Sequence, residues 1–202
     1  MAENNIYIYG ASGHGKVIAD IIQASGFTLC GWIDDDKTKN CLSWDDFCAL
    51  QTQANIALGI GSNHIRAAIA KKIKLAGYKL PVLIHPSAIV SPSAILKEAT
   101  VVMPLCVINA DTKIATGAIV NSGSIIEHDC YIGEYVHISP NSSIAGNVTI
   151  GNYTHIGIGT SIIQGITIGE ESVIGAGATV ICNLPSHITA VGTPAKIIKG
   201  LS

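Results

Sequence analysis

The sequence predicts two unlike parts in tandem: a small α/β unit of Rossmann-like, mononucleotide-binding order over residues 1–80, then a left-handed parallel β-helix with a C-terminal tail over 81–202. Three observations predict this mixed fold. An aliphatic residue recurs at every sixth position through most of the C-terminal half, a glycine-rich turn follows a short apolar run near the N-terminus, and an acidic turn comes about twenty residues after those glycines.

The first unit reads as a strand over 6–9, the turn Gly10-Ala11-Ser12-Gly13-His14-Gly15, and a helix with Val17, Ile18, Ile21 and Ile22 on its inner face, closed by Gly26. A strand over 28–33 runs into Asp34, Asp35 and Asp36. In this β-α-β order glycines let the backbone approach phosphate oxygens, the helix N-terminus offers free N–H groups, and an acidic residue holds ribose or uracil donors. The spacing is G-x-x-G-x-G rather than the dinucleotide G-x-G-x-x-G. A third strand over 55–60 ends in Gly59-Ile60-Gly61-Ser62-Asn63, and a helix over about 64–76 follows with Ile65, Ile69 and Ile73 inward. A whole dinucleotide needs two such halves, so a nucleotide-sugar fits better than NAD. Residues 78–86 link to the first coil.

Written in sixes, the second part shows Ile114, Val120, Ile126, Ile132, Ile138, Ile144, Ile150, Ile156, Ile162, Ile168, Ile174 and Val180. Ile89, Ile95, Val101 and Val107 keep the same step in another phase, and the one extra residue between the phases predicts a bulge at a corner. Counting the repeated aliphatic residue as i, position i+1 is often small and i+4 mostly small or β-branched. Neither an amphipathic helix nor an alternating strand has this period, and a parallel β-helix does. Each hexad makes one side of a prism, small residues turn its corners, and residues eighteen apart stack.

Composition narrows the function. With 48% apolar residues the 202-residue chain has material for real cores. Only 13% of residues are charged and the net charge is -2, which leaves no electrostatic footprint for nucleic acid or an anionic membrane and points to small-molecule partners. No apolar run approaches the roughly 18 residues needed to cross a bilayer. Residues 1–10 carry no signal-peptide pattern, which reads as cytoplasmic. Cys30, Cys41, Cys48, Cys106, Cys130 and Cys182 form no C-x-x-C pair and read as reduced, small hydrophobes.

With the glycine turn, the acidic turn, the hexads and the strings Ile126-Glu127-His128-Asp129-Cys130 and Val191-Gly192-Thr193-Pro194-Ala195-Lys196, the chain resembles the PglD/NeuD-type sugar acetyltransferases over nearly its whole length. Within them it is most similar to the UDP-4-amino-4,6-dideoxysugar N-acetyltransferases of the bacillosamine pathway. The resemblance implies a homotrimer with active sites between neighbouring β-helices, acetyl-CoA as co-substrate along the coils, and no metal. It also implies that UDP sits against Gly13, His14, Gly15, Asp35, Asp36 and the loop from Gly61 to Asn63.

Acetyl transfer from a thioester needs a base poised near neutral pH, and His128, flanked by Glu127 and Asp129, has that character. The resemblance favours Asp129 as the carboxylate that holds the imidazole, and the local spacing leaves Glu127 open. By the same resemblance Asn121 contacts the sugar amine. His137 and His155, eighteen apart, should stack on successive coils, which suits one of them, His137 by preference, to contact the acetyl or pantetheine portion from the neighbouring subunit. Ala145, Gly146, Gly157, Gly175 and Lys196 fall where the family places backbone amides and a cation against CoA. The expected reaction is N-acetylation of the 4-amino group of a UDP-4-amino-4,6-dideoxy sugar. O-acetylation of a sialic-acid-type hydroxyl is the main rival. A β-helix zinc hydratase would need His128, His137 and His155 at spacings unlike that family's, and a silent nucleotide-sugar sensor would not need the His128–Asp129 pair.

Overall fold

The computed structural model describes residues 4–200. Residues 1–3, part of the segment read above as free of a signal-peptide pattern, and 201–202, the end of the tail, lie outside the described residues. The N-terminal unit comprises β1 (Asn5–Tyr9), α1 (Gly13–Ala24), β2 (Thr28–Ile33), α2 (Trp44–Ala49), β3 (Asn55–Leu58) and α3 (Asn63–Leu75), with a parallel sheet in the order β2-β1-β3. Helix α2 escaped periodicity because its six residues make fewer than two turns. Its signal is a cap: the Ser43 hydroxyl accepts the Asp46 N–H at 3.2 Å, and Asp45 and Asp46 occupy its first turn.

The inner faces of the two longer helices differ from expectation. In α1 Ile18, Ile21 and Ile22 are fully buried while Val17 is half out. In α3 Ala70 and Ile73 are buried, Ile69 is half-buried, and Ile65 is 58% exposed. The place on the inner face goes to Arg66, only 1% exposed, because this helix packs against β-helix coils that offer carbonyl oxygens as well as apolar side chains.

The β-helix starts inside the segment read as a linker, at β4 (Leu83–Ile84). From β4 to β20 (Thr179–Val180) two-residue strands recur at a constant step of six. The predicted extra residue and bulge are therefore absent. In the early coils both strand residues are aliphatic, so the sequence offers two phases, and the structure takes the second. Val90 pairs with Ile108 and Ile108 with Ile126 along one inner column, while Ile89 is 68% exposed. The step shortens later instead: Ile168 bridges Leu184 and Ile174 pairs with Ala190, sixteen residues on rather than eighteen. Strand β21 (Ile188–Val191) then turns back into antiparallel β22 (Lys196–Gly200).

Three sheets form the sides of the prism. One carries His137 and His155 outward, one carries Ile125, Ser143 and Ser161, and one carries Lys113, Tyr131 and Thr149; below they are the histidine, serine and threonine faces. Chain turns occur at i+3, in the left-handed region, at Asp111, Asp129, Asn141 and Asn147 among others. Small residues at i+1 serve a different end from turning corners. A Cβ on Gly151 would stand 2.4 Å from the Glu170 nitrogen of the next coil, so these glycines let coils stack. Position i+4 carries buried hydroxyls that donate to the coil above, as Thr112 does to the Glu127 carbonyl at 2.7 Å and Thr154 to Gly169 at 2.7 Å. Cys106 and Cys130 fill the same position, their thiols reaching the carbonyls of Asn121 at 3.0 Å and Ala145 at 3.2 Å.

Candidate active site

His128 stands on the edge between the serine and threonine faces, where a strand ends and Asp129 takes the left-handed turn with φ 60°. Its Nδ1 lies 2.8 Å from Asp129 Oδ2, and both side chains are 60% exposed. Glu127 is engaged elsewhere, accepting from Asn109 Nδ2 at 2.9 Å. Asp129 is thus the carboxylate on the imidazole, and its hydrogen bond raises the His128 pKa above the ordinary histidine value of 6.5. With Nδ1–H donated to a carboxylate, Nε2 is the free acceptor of the neutral ring. The ring lies over Gly146: a Cβ there would meet Cε1 at 2.6 Å and Nε2 at 2.7 Å.

A concavity of about 390 Å³ opens at the carboxyl ends of β1, β2 and β3, where parallel sheets bind ligands. Ser12 and Ser62, the N-caps of α1 and α3, both line it, and neither side chain caps its helix. Two positive helix ends with free hydroxyls suit a diphosphate. Gly13 has open space where a Cβ would stand, whereas one on Gly15 would collide with the Gly10 carbonyl at 2.0 Å, so Gly15 serves helix-to-loop packing. Of the acidic turn, Asp34 accepts the Ala11 N–H at 2.8 Å and shapes the loop. Asp35 accepts from Tyr9 Oη at 2.6 Å and Lys72 Nζ at 3.1 Å. Burial alone would raise the Asp35 pKa, and these bonds outweigh it, holding the carboxyl below the usual range. Asp36 turns away to Thr38, whose N–H and hydroxyl it accepts at 2.9 and 2.7 Å.

Between the cleft and the coils lies a joint that sequence reasoning missed. Arg66 Nε donates to Gly117 O at 2.8 Å, Nη1 to Gly61 O at 2.8 Å, and Nη2 to Tyr135 O at 2.8 Å and Asn63 Oδ1 at 3.0 Å. Among the described residues no carboxylate pairs with it, and burial pushes its pKa down to about 10. The clue in the sequence is an arginine at helix spacing among Ala70 and Ile73, easily passed over as solvent-facing. Asn63, expected at the nucleotide, belongs to this joint and donates to Tyr153 O at 2.8 Å.

His137 and His155 lie in register on successive coils as expected, their rings meeting edge to face with centroids 5.0 Å apart, and His14 comes to 6.3 Å from His137. Burial pushes the His14 pKa down to about 4 and that of His137 down to about 3, so both are neutral near pH 7. The His14 Nε2 is buried without a hydrogen-bond partner among the described residues. Asn121 Nδ2 lies 3.1 Å from His137 Nε2, which ties Asn121 to the histidine face and not to His128. Of the residues expected to hold CoA, Ala145 and Gly146 share the His128 edge, while Gly157 and Gly175 lie on the edge beside Asn121 and pack against the next coil. Lys196 opens β22 and is exposed. Among the described residues no group of three or more His, Cys, Asp or Glu is placed to hold a metal ion, and no helix is long and apolar enough to cross a membrane.

Known proteins share both halves of this arrangement. The PglD N-terminal domain profile matches residues 5–73, and the bacterial transferase hexapeptide profile matches 111–146, 129–157 and 147–182. The crystal structure of PerB from Caulobacter crescentus, in complex with CoA and GDP-perosamine, superposes with a TM-score of 0.90 at 35% identity, covering 96% of this chain and 97% of that one. The chain belongs to the PglD-type family of hexapeptide-repeat sugar acetyltransferases. The acetyltransferase domain of PglB from Neisseria gonorrhoeae, in complex with acetyl coenzyme A, is a further family member, with a TM-score of 0.89 at 37% identity over 97% of this chain and all of that one. The UDP-N-acetylbacillosamine N-acetyltransferase of Bacillus subtilis is 38% identical over 110 residues, and that match spans about half of each protein, 49% of this chain and 51% of the relative.

Proposed function

We propose that the protein is a cytoplasmic enzyme that transfers the acetyl group of acetyl-CoA to the 4-amino group of a UDP-4-amino-4,6-dideoxy sugar. The observation that carries this is the exposed His128, held through Nδ1 by Asp129 at 2.8 Å with Nε2 left open. The amine nitrogen attacks the thioester carbonyl carbon, its proton passes to His128 Nε2, the C–N bond forms as the C–S bond breaks, and the departing thiolate takes the proton. Acetyl-CoA lies against Ala145, Gly146 and the coils above. The diphosphate lies at Ser12, Gly13 and Ser62, and His14 and Asn121 face the sugar.

Within one chain this site is incomplete. The nucleotide cleft and Asn121 belong to the histidine face, and His128 stands a full prism side away, about 15–20 Å at strand rise. A neighbouring copy closes that gap, which supports the homotrimer. The test is release of CoA thiol with UDP-4-amino-4,6-dideoxy-N-acetylglucosamine, with GDP-perosamine and free sialic acid in parallel. Turnover with the UDP-sugar that falls by two to four orders of magnitude in His128→Ala is expected. Silence there with turnover of sialic acid would move the acceptor to a hydroxyl.

A further inference from the structure

The orientation of the Asn121 amide fixes the state of its neighbour His137. The Ser122 N–H donates to Asn121 Oδ1 at 2.8 Å, so the amide oxygen lies on that side and Nδ2 points to His137 Nε2, 3.1 Å away. An amide nitrogen can only donate. Nε2 is therefore the bare, accepting nitrogen of the ring, and the ring proton sits on Nδ1. Among the described residues Nδ2 meets no other acceptor, which leaves its second N–H for a ligand. The half-buried His137 N–H needs an acceptor of its own, and the Gly61 carbonyl bonds the ring. That same carbonyl accepts Arg66 Nη1 at 2.8 Å.

Arg66 has no slack with which to release that carbonyl. Each of its N–H groups has an acceptor: Nε has Gly117 O, Nη1 has Gly61 O and, at 3.3 Å, Ile60 O, and Nη2 has Asn63 Oδ1 and Tyr135 O. Gly117 and Tyr135 occupy the same left-handed corner on successive coils, so a rigid planar fork ties the Gly61 loop to the β-helix at two levels. We propose that Arg66 is a positioning residue for acetyl transfer: it holds the Gly61 carbonyl against the His137 ring, which keeps His137 in the Nδ1–H tautomer and turns the Asn121 amide with its second N–H toward a ligand oxygen. This rests on the proposed placement of Asn121 beside the sugar. The surroundings of His137 agree with a neutral ring. Burial, then His155 on the next coil, Arg66 on α3 and His14 on α1 all disfavour its charged form, and Glu171, which shares a groove with it, is turned to His187 at 3.4 Å.

The experiment is nitrogen NMR of the imidazoles in the whole protein between about pH 5 and pH 8, which separates protonated from bare ring nitrogens, with the His137 signals assigned through His137→Gln. Steady-state thiol release and a thermal melt are run on the same samples. Wild-type His137 is expected as one neutral Nδ1–H species throughout. Arg66→Lys and Arg66→Met are expected to show both tautomers, with kcat lowered about tenfold or more and the acetyl-CoA KM little changed. Glu98→Gln, which breaks a separate tie from α3 to the coils at Lys74, is expected to change neither tautomer nor kcat. A wild-type ring protonated on Nε2, or one that titrates in that range, would overturn the proposal. So would an Arg66 variant that melts lower yet keeps the wild-type tautomer and a kcat within about threefold, since Arg66 is then a strut alone. If Arg66→Met does not fold, Arg66→Lys, which keeps the charge but not the fork, decides. The NMR arm needs no substrate, so wild-type protein with the expected tautomer that turns over no UDP-amino sugar would overturn the proposed acceptor and not the role of Arg66.

Discussion

Substituting Gly146 by alanine should damage catalysis while sparing the fold. The added methyl would stand 2.6 Å from His128 Cε1 and 2.7 Å from Nε2. Carbon contacts settle at about 3.5–4.0 Å, so the imidazole must retreat by about 1 Å. Because the His128 side chain is 60% exposed it can swing outward at little cost in stability. Its Nδ1 then leaves the 2.8 Å contact with Asp129, and Nε2 leaves its place at the edge. A displacement of about 1 Å at a reacting group costs about a hundredfold in rate. The assay is steady-state thiol release with a thermal melt on the same sample: kcat should fall about a hundredfold with Tm nearly unchanged. A Gly146→Ala enzyme with kcat within threefold of wild type would refute the placement of His128 as the base. A rise confined to the acetyl-CoA KM would instead mark Gly146 as a CoA contact alone.

Two further predictions follow from the same geometry. Asp129→Asn keeps the turn, since asparagine accepts the left-handed region, and removes the charge that raises the His128 pKa. The base acts when neutral, so kcat/KM climbs as pH rises through that pKa; the variant's acid limb should move to lower pH while its plateau drops about a hundredfold, and a pH–rate profile with an unmoved limb would count against Asp129. Arg66→Ala strips three 2.8 Å bonds from the carbonyls of Gly117, Gly61 and Tyr135. It should cost about 3–5 kcal/mol in denaturant titration, with a smaller loss for Arg66→Lys, and a loss under about 1 kcal/mol would contradict the joint.

The β-helix was legible because its rule is local: one inner aliphatic residue per six, repeated coil after coil. The phase of the early coils was not, since Ile89 and Val90 are equally apolar and only the ladder to Ile108 decides between them. Helix α3 misled for the opposite reason. Its isoleucines obey helical spacing, but the coils present backbone carbonyls at Gly117 and Tyr135, and an arginine satisfies those better than an isoleucine does. The pairing of His128 with Asp129 over Glu127 depended on corner geometry and on Asn109, eighteen residues earlier, which draws Glu127 away. Family resemblance supplied Asn121 and the eighteen-residue spacing to His155 supplied His137, and their contact with each other at 3.1 Å follows from the fold.

That contact bears on how the site is assembled. If Asn121, His137 and the nucleotide cleft serve the acceptor while His128 of the same chain looks out from another edge, each active site joins the cleft of one copy to the histidine of the next. Two crippled variants then complement each other. His128→Ala removes the proposed base. Gly13→Asp, where a Cβ meets nothing within 4 Å, places a carboxylate in the path of the diphosphate without disturbing the core. Each alone should be nearly inactive. Mixed in equal amounts and reassembled, about a quarter of the sites would draw both a sound histidine and a sound cleft, and thiol release should recover to about a quarter of wild type. A site contained in one chain has no such route, so a mixture no more active than its components would rule out the shared site.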